Sequence, residues 1–208
     1  MNKNEKFVIT INREAGSGGR TVGSKVAEKL GVPFYDKALI QSLMEKYNLS
    51  VEEIESLKGR KHDWWSEFKR VVGLEHTLTG SVVDNPDMYN AADIFRGEVE
   101  ILKGIAESES CVIAGRSGFF VFEDHPNHLS ILITAPYEQR IQRLMAKKGI
   151  TEEEAKKVIR EIDTSRENYI KKFTGTTRYD TRNYDLVINM NGKSEDVIAD
   201  MILMYIGE

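Results

Sequence analysis

Apolar positions in this chain follow two rhythms. Short near-continuous runs occur at Phe7-Val8-Ile9-Thr10-Ile11, Val32-Pro33-Phe34-Tyr35, Cys111-Val112-Ile113-Ala114, Leu129 to Thr134 and Leu186-Val187-Ile188. Runs of this length, rich in β-branched residues, predict strands covered on both faces. Between them apolar residues recur at helical spacing. Val22, Val26, Ala27 and Leu30 predict a helix from about Arg20 to Leu30, closed by Gly31. Ser50 with Glu53 and Thr151 with Glu154 have capping-box spacing, Pro136 suits a first helical position, and Ser194 suits the cap of the last helix. Strands alternating with helices predict an α/β domain: a three-layer α/β/α arrangement around about five parallel strands.

Two stretches exceed a minimal crossover. Residues 37–110 hold too much chain for one connection, which predicts a mostly helical insert at about 45–98. Residues 151–183 read as a long polar helix followed by the turn-rich TGTTRYDTRNYD segment, an excursion of the kind that closes over a site. His62-Asp63-Trp64-Trp65 with Phe68 reads as the apolar face of an insert helix, with base stacking or partner contact as the alternative.

Composition narrows the class. The chain has 208 residues, 40% hydrophobic and 30% charged, enough for one domain with a real core. No apolar run reaches the ~18 residues of a membrane span, and MNKNEKFVIT lacks the layout of a signal peptide. The single cysteine, Cys111, excludes an internal disulfide framework and sits in a hydrophobic run, as a core residue does. A cytoplasmic protein without a membrane partner is expected. The net charge of −4 argues against coating a nucleic-acid polymer. His62, His76, His125 and His128 lack metal-ligand spacing.

The most informative segment is Arg13-Glu14-Ala15-Gly16-Ser17-Gly18-Gly19-Arg20-Thr21, between the first strand and the first helix. Small residues there let backbone N–H groups converge on an anion at a helix N-terminus, which is a phosphate cradle in composition and in place. Measured against the GxxxxGK[ST] pattern, the first glycine falls at Arg13 and the lysine at Gly19. Either Arg20 or Arg13 could supply the phosphate contact of the missing cation, and Thr21 could stand near Mg²⁺, directly or through water. Gly16-Ser17-Gly18, with Asp36 about twenty residues on, also begins a dinucleotide-binding pattern, but its third glycine would fall on Thr21. In an open parallel sheet ligands sit beyond the carboxyl ends of strands, where this loop, Asp36 and Arg116 would gather.

With these residues in hand, the chain resembles the cytidylate kinase-like family, a branch of the P-loop nucleoside monophosphate kinases. Three segments carry the likeness: VITINREAGSGGRTVGSKVAEKLGVPFYDKALI at 8–40, VIAGRSGFFVF at 112–122, and the stretch from Leu129 to Asn189. The resemblance implies transfer of the γ-phosphoryl group of ATP, with Mg²⁺, to a small nucleotide, CMP or dCMP being favoured. It implies that Gly16, Ser17, Gly18, Gly19, Arg20 and Thr21 hold the donor phosphates, with Arg13 at the start of the loop. Asp36 and Arg116 would face the acceptor. Arg140 or Arg143, with Arg166 and Arg160 from the lid, would clamp the phosphates. The chain departs from the orthodox pattern at Ala114 and Ser117, where an Asp is usual, and at Gln41-Ser42, where an aromatic-Arg pair is usual. These departures keep two alternatives open: a nucleotide- or anion-binding regulator without turnover, and a kinase for another small molecule.

Overall fold

The structure, a computed structural model, describes residues 1–40 and 91–207, with side chains of 91–94 excepted. The Ser50–Glu53 cap, His62, Trp64, Trp65, Phe68, His76 and most of the expected insert lie outside the described residues.

Five parallel strands form one sheet: β1 (Val8–Arg13), β2 (Phe34–Asp36), β3 (Cys111–Ala114), β4 (His128–Thr134) and β5 (Leu186–Asn189), in the spatial order β2-β3-β1-β4-β5. Six helices accompany them among the described elements: α1 (Gly19–Leu30), α2 (Ala91–Ser108), the one-turn α3 (Gly118–Val121), α4 (Tyr137–Lys148), α5 (Glu152–Thr174) and α6 (Glu195–Tyr205). Alternation along β1 builds the layers. Ile9 and Ile11 pack with Val22 and Val26 of α1 and Ile198 and Ile202 of α6. Val8 turns the other way, into a second cluster with Ile101, Leu102 and Ile105 of α2. Period-2 side-chain direction therefore puts helices on both faces, and the fold is three-layered α/β/α.

Helix ends follow local chemistry. Gly31 closes α1 in the left-handed region, at φ +65°, with its N–H bonded to Ala27 and Glu28 carbonyls. Thr151 and Glu154 form the reciprocal capping box of α5, and Ser194 accepts the Val197 N–H at the start of α6. Pro136 stands one place earlier than expected, as the extended residue before α4. A third cluster, Ala15 with Ile141, Leu144, Ala155 and Ile159, seats α4 and α5 against the loop after β1. That contact brings α5 to the glycine segment.

Register decides what the carboxyl edge presents. Asp36 pairs with Ala114, and Ala114 pairs with Ile11, so β2 and β3 end level with one another while β1 runs two residues further, to Arg13. Asp36, the Gly115–Ser117 turn and Arg13 thus open onto the same side of the sheet.

Candidate active site

The glycine loop connects β1 to α1 through two left-handed glycines, Gly16 (φ +78°) and Gly18 (φ +87°), the latter the residue before the first helical turn. Side chains are excluded for steric reasons as well: a Cβ on Gly16 would lie 2.7 Å from the Arg140 carbonyl oxygen, and one on Gly19 would lie 2.6 Å from the Arg13 Cβ. The Ser17 hydroxyl donates to the Glu14 carbonyl and accepts the Gly19 N–H, which holds the loop's curvature.

The sequence-identified cations take distinct posts around this loop. Arg140 is 6% exposed and is spent on the loop itself, through Nε to the Ala15 carbonyl (2.8 Å), Nη1 to Glu14 (3.1 Å) and Nη2 to Asp163. Arg143 pairs with Glu195 and lies over the helix start, so that a Cβ on Gly18 would meet its Cζ at 3.1 Å. Arg20 gives Nε to Asp36 at 2.6 Å, with most of its side chain in solvent. Asp36 also accepts the Leu39 N–H, so it caps the helical segment beginning at Lys37 while holding Arg20. Burial pushes the Asp36 carboxyl up, but the Leu39 amide and Arg20 outweigh it and hold it below the usual carboxylate range. Arg116 is paired with Glu98 of α2 and lies 4.9 Å from the Tyr169 ring centroid. Arg166 donates to the Arg13 carbonyl at 3.1 Å. Arg160 is exposed on α5 and lines neither of the two clefts described next.

Those clefts flank the carboxyl edge. One, about 460 Å³, is lined by Gly16, Gly18, Gly19, Arg20, Thr21 and Arg143. The other, about 450 Å³, is lined by Lys37, the Gly115-Arg116-Ser117 turn and Tyr169. Arg13, Ile162 and Arg166 line both. Cationic crowding shows in the Arg13 guanidinium, which is pushed down to about 9 by burial and then by Arg166, with Asp36 opposing. Among the described residues no group of three or more His, Cys, Asp and Glu side chains is placed to hold a metal ion, and no helix is long and apolar enough to cross a membrane.

A strand, a glycine loop and a helix beside one cleft, with a second cleft across Arg13 and Arg166, form the layout that the family comparison answers: the cytidylate kinase-like family matches residues 8–192. The chain belongs to that family. It is 28% identical over 198 residues to a cytidylate kinase of Methanopyrus kandleri, covering 91% of this chain and 87% of that one. A cytidylate kinase of Methanobrevibacter smithii is 27% identical, at 95% and 96% coverage. Among solved structures, an uncharacterized protein from Eubacterium ventriosum superposes with a TM-score of 0.71 at 25% identity, covering 97% of this chain and 98% of that one. Shikimate kinase from Bacteroides thetaiotaomicron, at 15% identity and a TM-score of 0.52 over 97% and 99% of the two chains, shares the fold.

In this member of the family, several residues that sequence reasoning passed over hold the site together. Asp163 of α5 accepts the Ala15 N–H at 2.9 Å and Arg178 Nη2 at 2.9 Å besides Arg140, which ties α5, the glycine loop and α4 at one carboxylate. Arg178, 0% exposed, also donates to the Arg13 carbonyl at 3.2 Å. Glu98 accepts from Arg116 and, at 2.5 Å, from the Tyr169 hydroxyl. Each looks in sequence like a charge on a helix or loop face, and nothing in the spacing distinguishes it from its solvated neighbours.

Proposed function

We propose that this protein is an ATP-dependent nucleoside monophosphate kinase with CMP or dCMP as the favoured acceptor. The observation that carries this reading is the meeting of the two clefts at Arg13, Ile162 and Arg166, one cleft walled by the glycine loop and the other by the Arg116 turn. Phosphoryl transfer requires a donor and an acceptor brought together in line, with charge neutralised along the path and little covalent help.

In this reading the backbone amides of residues 16–21 and the positive end of α1 hold the donor phosphates. Arg143, above Gly18, covers them from α4. Arg116, kept in place by Glu98 and Tyr169, binds the acceptor phosphate, and Arg166 contributes from the lid. An acceptor phosphate oxygen forms the new bond to Pγ as the bond from Pγ to the ADP oxygen breaks. That oxygen is already ionised near neutrality, so no general base is needed. Magnesium, carried on the nucleotide phosphates, would neutralise charge between them, and Thr21 in the donor cleft is the hydroxyl at hand for it. Relatives named cytidylate kinase favour a pyrimidine monophosphate as acceptor.

Incubation with ATP, Mg²⁺ and each nucleoside monophosphate tests the reading. ADP and the matching diphosphate should form with CMP or dCMP above the level of a Gly16→Ala control. Gly19 in the lysine position favours the second reading, a regulator that binds nucleotide without turnover. Tight ATP binding with no ADP and no phosphorylated product from any monophosphate, sugar or amino-alcohol acceptor would decide for it.

A further inference from the structure

The wall between the two clefts shows which side chain meets a group passing from one to the other; this inference rests on the phosphoryl-transfer reading above. Of the two cations in that wall, Arg13 is the last residue of a central strand. Its stem crosses the start of α1, where a Cβ on Gly19 would meet the Arg13 Cβ at 2.6 Å. Its guanidinium ends over the β3 turn, where a Cβ on Gly115 would collide with Nη1. One side chain therefore spans from the amide cradle to the acceptor turn. Both neighbours are glycine, which leaves room for it.

Two buried donors beside this path have no hydrogen-bond partner among the described residues. Arg13 Nε is one, and the hydroxyl of Ser117, a residue 3% exposed, is the other. Ser117 also ends three consecutive left-handed residues, Gly115 (φ +88°), Arg116 (φ +55°) and Ser117 (φ +53°), two of which carry a Cβ. Unsatisfied buried donors and left-handed non-glycine residues are both costly and persist where surrounding structure or a ligand compensates them. An oxygen-rich anion would take a hydrogen bond from each. Of the charges facing Arg13, Arg116 is paired with Glu98 and Arg20 with Asp36, while Arg13 itself makes no ion pair among the described residues. Arg20, the other candidate for the absent lysine, is 62% exposed in its side chain and already gives Nε to Asp36.

We infer that Arg13 replaces the loop lysine as the cation on the phosphoryl group in transit, and that the Ser117 hydroxyl donates to the same oxygens. Arg13 stays protonated throughout. It stabilises charge on the transferring group while the acceptor oxygen–Pγ bond forms and the Pγ–ADP oxygen bond breaks.

The test compares the full chain with Arg13→Gln, Arg13→Lys, Arg20→Gln and Ser117→Ala. Calorimetric titration with tripolyphosphate, without magnesium, is run beside turnover with ATP, Mg²⁺ and CMP. Arg13→Gln should weaken tripolyphosphate by at least about tenfold, as expected for loss of a charge-assisted hydrogen bond. It should lower kcat by at least about a hundredfold with a much smaller change in KM for CMP, the pattern of an interaction made chiefly in the transition state. Arg13→Lys should restore part of both, and Ser117→Ala should weaken the anion by roughly threefold to tenfold. Arg13→Gln binding tripolyphosphate like the parent chain, or Arg20→Gln losing more affinity than Arg13→Gln, would overturn the inference while leaving the kinase reading intact. A parent chain that binds neither tripolyphosphate nor ATP overturns both. If Arg13→Gln does not fold, unchanged anion affinity in both Ser117→Ala and Arg13→Lys overturns the inference.

Discussion

Arg116, in the wall of the cleft beside the β3 turn, forms an ion pair with Glu98, the Glu98 side chain being 1% and the Arg116 side chain 10% exposed. The Tyr169 hydroxyl closes the carboxylate's second oxygen at 2.5 Å, so three elements (α2, the β3 turn and α5) meet at one buried charge. Removing one member of a buried pair strands the other. Glu98→Ala is therefore expected to cost about 3–5 kcal/mol in urea unfolding, and Glu98→Gln, which keeps the shape and an acceptor for Tyr169, less. A loss below about 1 kcal/mol for the alanine variant would contradict the pair.

Two left-handed glycines separate strain from crowding. At Gly149 (φ +65°) an added Cβ meets nothing within 4 Å, whereas at Gly16 (φ +78°) it meets the Arg140 carbonyl oxygen at 2.7 Å. Gly149→Ala should cost about 1–2 kcal/mol from backbone conformation alone. Gly16→Ala should cost more and also weaken ATP, because the loop must shift away from α4. Equal stability losses in thermal unfolding would show that Arg140 does not press on the loop.

His128 provides a pH test. Its ring shares a 2.7 Å hydrogen bond with the Thr10 hydroxyl, and burial, with His125 adding to it and Asp185 opposing, pushes its imidazole down to about 4. Between about 6.5 and about 4 the unfolded chain binds a proton that the folded chain refuses, so stability falls as pH falls through that window. At ~1.4 kcal/mol per unit the loss from this group is at most about 3–4 kcal/mol. Urea midpoints measured from pH 7 to pH 5, above most carboxylate titration, should fall in the parent chain and stay flatter in His128→Gln.

Cys111 should be inert in the native state. It is fully buried at the start of β3, and burial, with Glu109 adding to it, pushes its thiol up to about 12. Ellman's reagent should release no colour from the folded protein and one equivalent in guanidinium. Rapid native reaction would mean that β3 opens far more readily than its packing implies.

The expected elements and the observed ones agree most closely where the signal is local. The Thr151–Glu154 box, the Ser194 cap and the Gly31 stop involve residues within one turn of each other, and all three form as the spacing predicts. Strand ends were less legible. β1 continues through Asn12 and Arg13, two polar residues beyond the apolar run, because the ladder to β4 pairs Asn12 with Leu132 and Arg13 with Ile133. That extension is what delivers Arg13 to the meeting of the clefts.

Of the candidate site, the left-handed turns of the loop at Gly16 and Gly18 were readable because they fall on glycines in sequence, between a strand and a helix. The posts of the arginines were not. Arg20 against Asp36, Arg140 against Asp163 and Arg116 against Glu98 join positions 16, 23 and 18 residues apart. Which guanidinium meets which carboxylate is a matter of distance in the folded chain.

Period and punctuation along the chain sufficed for an α/β fold with a glycine loop between the first strand and the first helix, since apolar spacing and glycine placement act over a turn or a strand. Only the packed molecule decided that Arg13 reaches the β3 turn, that Arg20 is occupied, and that Asp163 ties α5 to the loop. Coulombic and hydrogen-bond partners are chosen by proximity across the sheet edge, and that proximity exists only after β1, β3 and α5 have been brought together by burial of their apolar faces.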